Sequence, residues 1–206
     1  MARNMRRFYE IFHVEADRMS YYYALPEEKP ENMDGVIGYI FNDSNPALRI
    51  ALEVDPEYLN AQNSIFPTLY VDPENYIQSC RIILNNRMAN SLYKNDPETL
   101  FSIWHELGYF HTMSEHVEEY LNYASRKEQG YTAEQYLSIV NGEVMDFEAA
   151  ADDFAVEYCG RDQAVIALNG LIARVKKHPK LMNDRALLKE LLNRKNRILG
   201  RAPESI

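Results

Sequence analysis

Four residues in the second half of the chain carry side chains suited to metal chemistry. His105 and Glu106 are adjacent, and Glu148 and Asp152 stand four residues apart in the string E-A-A-A-D. Residues four apart on a helix share a face, so Glu148 and Asp152 would project in the same direction. Histidine and carboxylate are ligands that zinc accepts, and a glutamate beside a ligand histidine can act as a general base. The sequence therefore predicts a metal site built from two helices.

The His105-Glu106 pair lacks a histidine where a second ligand on the same helix is expected. In the pattern H-E-x-x-H, the two histidines stand four apart on one helical face and both reach a single metal ion. Here that position holds Tyr109. A His-Glu pair alone is a weak signal, and a surface pair without chemistry is the plain alternative. The string from Glu148 to Ala155, on its own predicted helix, gives the pair its support.

The two motifs together resemble those of zinc metallopeptidases of the HtpX and ImmA/IrrE types, in which H-E-x-x-H is followed by a helix with the pattern E-x-x-A-[D/N]-x-F-A. The likeness covers roughly residues 97–160, and the matching residues are His105, Glu106, Leu107, Gly108, Glu148, Ala151, Asp152, Phe154 and Ala155. The resemblance implies that His105 and Glu148 bind zinc. It also implies that Glu106 deprotonates the attacking water and that Asp152 orients a ligand imidazole.

Three accounts of the third protein ligand are open. In the first, Tyr109 binds the metal as phenolate, although the ordinary tyrosine pKa of about 10 makes this costly at neutral pH. In the second, Gly108 lets the helix end or bulge early, so that His111 swings inward as the ligand. In the third, the site has lost tight metal binding and the fold is a scaffold for interaction. In an unbroken helix His111 lies about 240° round from His105, and its plain interpretation is a core histidine.

Charge and composition limit the classes of function. The net charge of −9 argues against a nucleic-acid surface, which needs an excess of Lys and Arg on one face. Cations in the last turns of a helix ordinarily complement the helix dipole. We interpret in this way the cations near the C-terminus, which are Lys189, Arg194, Lys195, Arg197 and Arg201. Two cysteines suit a reducing compartment, and no stretch approaches the roughly 20 apolar residues of a membrane span. We expect a soluble, cytoplasmic protein, which favours the ImmA/IrrE type.

The order of elements predicts an α+β fold in one domain over residues 1–206. A sheet-rich part covers about 1–72, a helical part about 73–200, and a short tail ends the chain. Short β-branched or aromatic runs predict strands at 36–41, 48–54 and 65–71, with a further candidate at 8–14. Capping and periodicity predict helices at about 73–94, from 97 through the His-Glu pair, at 115–130, from 132, and at about 143–159, 162–177 and 184–199. Asp96-Pro97 marks the start of the helix that carries the pair.

These observations favour a zincin-like fold, with a small N-terminal sheet and the metal motif on two helices. The predicted function is zinc-dependent hydrolysis of a peptide bond in a peptide or protein substrate. The alternative is a catalytically inactive protein of the same fold, which binds a protein partner through the same groove. Neither function predicts a nucleic-acid or membrane partner.

Overall fold

A mixed five-stranded sheet forms the N-terminal half of the fold. The computed structural model describes residues 21–31, 33–43, 48–55, 57, 67–70, 80–116, 146–178 and 185–201. The strands are β1 (Tyr21–Ala24), β2 (Gly35–Asn42), β3 (Arg49–Val54), β4 (Thr68–Tyr70) and β5 (Arg81–Leu84). Their order is β1-β2-β3-β5-β4, with β3 and β5 parallel and every other pair antiparallel. The predicted strands at 36–41, 48–54 and 65–71 are confirmed as β2, β3 and β4.

The prediction of one helix over 73–94 is wrong, because β5 occupies residues 81–84. This strand lies between β3 and β4, and Ile82, Ile83 and Leu84 are fully buried. A strand buried on both faces loses the alternation of polar and apolar residues that marks a strand, so an apolar run there resembles a helix. The sheet thus extends to Leu84, beyond the predicted boundary near residue 72. Residues 71–79 lie outside the described residues.

Five helices are described, and three of them begin at a side-chain cap. The five are α1 (Asn86–Leu92), α2 (Pro97–Glu115), α3 (Phe147–Cys159), α4 (Arg161–Lys177) and α5 (Arg185–Ile198). The carboxylate of Asp96 accepts a hydrogen bond from Thr99 N, and Pro97 follows in the first turn of α2. This cap confirms the start predicted for the helix that carries the His-Glu pair. The predicted strand at 8–14 and most of the two predicted helices after residue 115 lie outside the described residues.

The core joins the inner face of the sheet to the helices. One cluster of buried apolar side chains includes Ile50, Leu52 and Ile82 from the strands and Phe101, Phe110 and Leu168 from the helices. The overall class is therefore α+β, as predicted. Among the helices in the described part of the chain, none combines the length and the apolar character needed to cross a membrane.

Candidate metal centre

The two helices that carry the predicted metal residues approach closely at Gly108. A Cβ atom added to Gly108 would lie 2.8 Å from Ala151 Cα and 2.9 Å from Ala151 O, well inside van der Waals contact. Only a residue without a side chain allows α2 and α3 this separation. The small residues Gly108 and Ala151 thus set the distance between the helices, and with it the distance between His105 and Glu148.

The side chains of His105, Glu148 and Asp152 meet in this contact. His105 Nδ1 lies 2.9 Å from Asp152 Oδ1, and His105 Nε2 lies 3.5 Å from Glu148 Oε2. His105 and Asp152 are buried, and Glu148 is partly buried. The two ring nitrogens of His105 therefore face different carboxylates, each supplied by α3.

The separation of 3.5 Å between His105 Nε2 and Glu148 Oε2 suits two ligands of one zinc ion. Nitrogen and oxygen ligands about 2.1 Å from a tetrahedral zinc ion lie about 3.4 Å apart. A ligand histidine usually donates its second ring N–H to a carboxylate, which holds the ring in place. Asp152 is in the position to accept that N–H. Two protein ligands and the carboxylate that orients one of them thus fit zinc.

A largely buried arginine from α5, with 13% of its side chain exposed, completes the polar cluster. Arg194 Nε lies 3.0 Å from Asp152 Oδ2, and Arg194 Nη2 lies 2.6 Å from Asp152 Oδ1. The same Nη2 is 3.1 Å from His105 Nδ1. The guanidinium therefore holds both oxygens of the Asp152 carboxylate through its Nε and Nη2 donors, in the paired geometry that arginine forms with carboxylates. Arg197, one turn further on, bonds to Asp153 Oδ1 at 2.7 Å.

Arg194 also sets the charge state of the carboxylate. Burial raises the pKa of Asp152, but the Arg194 charge and the hydrogen bonds from His105 and Arg194 outweigh burial and bring that pKa to about 2. Burial and the Arg194 charge lower the pKa of His105, whereas hydrogen bonds to Asp152 and Glu148 outweigh them and raise it. The pKa of Arg194 is itself raised, despite its burial, by the charges of Asp152, Glu148 and Tyr109. Asp152 and Arg194 are therefore a buried ion pair.

Tyr109 lies one turn after His105 on α2, with its ring against the imidazole. The two ring centroids are 4.9 Å apart and the rings are nearly perpendicular. The aromatic ring of Phe101, one turn before His105, packs on the imidazole with centroids 6.2 Å apart. The imidazole is thus held between two aromatic rings of its own helix, and Tyr109 occupies the position where H-E-x-x-H has its second histidine.

His111 packs in a separate group of rings. Its ring centroid lies 5.1 Å from that of Phe154 and 6.2 Å from that of Tyr21. The helix α2 runs without interruption from Pro97 to Glu115, so the early end or bulge expected at Gly108 in one account is absent from this described helix. The reason for a glycine here is the close approach of Ala151. Six residues along a regular helix turn His111 about 240° away from His105.

Glu106 contacts the edge of the sheet. Its Oε2 accepts a hydrogen bond from the backbone N–H of Leu69 at 3.0 Å. Leu69 lies in β4, the last strand in the order among the described residues, and pairs with Ile82 of β5. The predicted general base therefore lies beside the outermost strand of the sheet that the structure describes.

Two features of the site were missed from the sequence. The first is Arg194, whose charge lies at the centre of the cluster and is not an ordinary complement to the helix dipole. The available signal was its position on the apolar stripe of α5, formed by Leu187, Leu191 and Ile198 at helical spacing. The second is the edge strand beside Glu106. The sequence gives no signal for it, because the order of strands in a sheet depends on pairing between residues that are distant along the chain.

Among the described residues, no group of three or more His, Cys, Asp and Glu side chains is placed to hold a metal ion. A site with Tyr109 as third ligand contains a residue type outside that set.

Comparison with known protein families, with curated proteins and with solved structures finds no match for this chain.

Proposed function

We propose that the protein is a zincin-like metallopeptidase, with zinc held by His105, Glu148 and Tyr109. The observation that carries this proposal is the pair of contacts on the His105 ring. Nε2 faces Glu148 at the spacing of two zinc ligands, and Nδ1 faces the Asp152 carboxylate. The resemblance to H-E-x-x-H peptidases supports the same roles. Two free cysteines, Cys80 and Cys159, support a reducing, cytoplasmic location.

Tyr109 is the third ligand in this proposal because of its place on α2. It follows His105 by one turn, and its ring lies against the imidazole. His111 is less suitable, since it packs with Tyr21 and Phe154 on an unbroken helix. A phenol must lose its proton to bind zinc, and a nearby cation favours that loss. Arg194 supplies positive charge close to Tyr109.

The remaining chemistry belongs to residues of this chain. Bound zinc would supply a Lewis acid for the scissile carbonyl and would acidify a water molecule. Glu106 accepts the proton from the attacking water and passes it to the leaving amine. The edge of β4, the last strand among those described, binds the substrate as an extended strand beside Glu106. Asp152 keeps the His105 ring in the orientation that directs Nε2 toward Glu148.

A second candidate function is binding without catalysis. The observation that favours it is Tyr109 itself, since replacing one of two ligand histidines removes much of the affinity for zinc. In this function the cluster of His105, Asp152 and Arg194 stabilises the contact between α2, α3 and α5, and the edge of β4 binds a partner segment. Metal content separates the two functions.

The test is elemental analysis of the purified protein after exposure to zinc. The proposal predicts close to one zinc ion per chain, and Glu148→Ala should remove it. Glu157→Ala is the matched control, because Glu157 is exposed on the same helix. A wild-type protein that remains free of zinc would overturn the metallopeptidase proposal and leave the binding function.

Catalysis is tested with Glu106→Gln on a mixed library of quenched fluorescent peptides. The amide oxygen of glutamine can still accept the hydrogen bond from Leu69 N, so the contact with β4 remains possible, but glutamine cannot act as a base. We expect zinc content to stay and turnover to fall by about 10²-fold or more. Equal turnover in wild type and Glu106→Gln would remove Glu106 from the mechanism.

A further inference from the structure

The Arg194 guanidinium contacts both members of the His105–Asp152 pair. Its Nη2 is 2.6 Å from Asp152 Oδ1, the oxygen that also lies 2.9 Å from His105 Nδ1. Its Nε is 3.0 Å from the other oxygen, Oδ2. Because Arg194 donates hydrogen bonds to both carboxylate oxygens, the plane of the carboxylate is fixed. The oxygen that His105 uses is therefore fixed in position by a residue from another helix.

Because Asp152 is buried, its carboxylate depends on Arg194 for its position. Asp152 has no exposed surface, so water cannot replace a lost partner without a change in packing. Arg197 comes no closer than 3.6 Å to Asp152 Oδ2, and it bonds instead to Asp153 and to the carbonyl of Ala149. Arg194 is thus the close cationic partner of Asp152 among the residues that the structure describes.

The backbone of α5 holds Arg194 at this point. Leu191 and Ile198, which precede and follow Arg194 on the same helical stripe, are buried in the core. The side chain therefore enters the site from a helix that is anchored on both sides of it. The guanidinium thus comes from a helix other than α2 and α3, which carry the candidate ligands.

We propose that Arg194 is a positioning residue of the metal site, which fixes the Asp152 carboxylate and thereby orients the His105 ring with Nε2 toward Glu148. The effect on zinc affinity rests on the proposed function, because the orientation of Nε2 affects metal binding only if His105 is a zinc ligand. Its structural part, the orientation of the ring, holds in the metal-free protein as well.

The first measurement is zinc affinity by chelator competition. Arg194→Met removes the guanidinium and keeps much of the apolar length, and we expect zinc binding about 10- to 100-fold weaker, as for other residues that orient a ligand. Arg194→Lys keeps the charge without the planar pair of donors and should give an intermediate loss. Lys195→Met is the matched control, because Lys195 is a neighbouring cation of α5 that contacts Asn169. It should bind zinc like wild type.

The second measurement is made on metal-free protein by NMR. In wild type, the His105 ring should show fixed nuclear Overhauser contacts with the rings of Tyr109 and Phe101. Arg194→Met should weaken or redistribute these contacts. The stacked rings of Trp104 and Tyr158, with centroids 4.5 Å apart, provide an internal control for the fold and should keep their contacts.

These measurements distinguish a positioning role from a structural one. If Arg194→Met is less stable but keeps the His105 ring contacts and the wild-type zinc affinity, Arg194 only joins α5 to α3 and the inference is wrong. If wild type binds no zinc, the proposed function fails, and the ring contacts alone decide the role of Arg194. Should Arg194→Met not fold, Arg194→Lys decides: wild-type affinity and ring contacts in that variant would overturn the inference.

Discussion

Substitution of Gly108 by alanine tests the geometric basis of the site. The added methyl group would lie 2.8 Å from Ala151 Cα and 2.9 Å from Ala151 O, both backbone atoms of the facing helix. Backbone atoms cannot rotate away from the clash as the end of a long side chain can. The helices α2 and α3 must therefore separate by about 0.6 Å to restore ordinary contact at 3.4 Å.

The expected loss of stability is the balance of two effects. Alanine is a better helix former than glycine by about 1 kcal/mol. Overpacking typically costs about 1–3 kcal/mol, and the rigid backbone contacts of Gly108 place it in the upper part of that range. We expect the free energy of unfolding to fall by about 1–2 kcal/mol, which lowers Tm by roughly 2–8 °C for a chain of this length.

The same separation should affect zinc binding. Moving the helices apart would lengthen the distance between His105 Nε2 and Glu148 Oε2 from 3.5 Å to about 4 Å, beyond the spacing of two zinc ligands. We expect zinc affinity to fall roughly tenfold, at the lower end of the range for changes to residues that orient a metal ligand.

Urea unfolding and chelator competition measure the two effects of Gly108→Ala. Gly170→Ala is the control, because the atoms nearest to its added Cβ belong to the Glu98 side chain and not to the backbone of a facing helix. That variant should be nearly neutral in stability, with zinc affinity unchanged. Wild-type stability and wild-type zinc affinity in Gly108→Ala would refute the argument that this glycine sets the distance between the helices.

Three further predictions concern single side chains. Tyr109→His should tighten zinc binding, measured by chelator competition, because a neutral imidazole binds without having to lose a proton at neutral pH. Tyr109→Phe should weaken zinc binding and abolish the ultraviolet difference band of tyrosinate that wild type shows on adding zinc; wild-type affinity in this variant would exclude Tyr109 as a ligand. Asp96→Ala removes the cap of α2 and should cost about 0.5–2 kcal/mol in urea unfolding, with no change in zinc affinity.

Local patterns predicted the parts of the fold that local interactions determine. The start of α2 follows from a capping carboxylate before a proline, and α3 ends at Gly160, which adopts a positive φ of 80°. The meeting of His105, Glu148 and Asp152 was predictable because each pair of motif residues lies on a regular helix. Helical spacing determines which side chains share a face. The resemblance to H-E-x-x-H metallopeptidases indicates which two helical faces meet.

The incorrect predictions concern segments whose structure depends on residues distant along the chain. Residues 81–84 form a strand because β3 and β4 supply partners on both sides, and no local pattern records those partners. Arg194 enters the site because Leu191 and Ile198 bury the same stripe of α5, so a charge on that stripe must find a buried partner. The partner, Asp152, lies on another helix, and propensity and capping rules carry no information about it.

Charge balance connects the change at Tyr109 with the presence of Arg194. A tyrosine that binds zinc as phenolate adds one negative charge that a neutral histidine at the same position would not bring. Arg194 adds one positive charge to the same buried cluster, and Tyr109 is among the groups whose charge raises the pKa of Arg194. In a site largely closed to water, an uncompensated charge is costly, so the two residues offset each other. The proposed site thus keeps the net charge that two ligand histidines and the same carboxylates would have without an arginine.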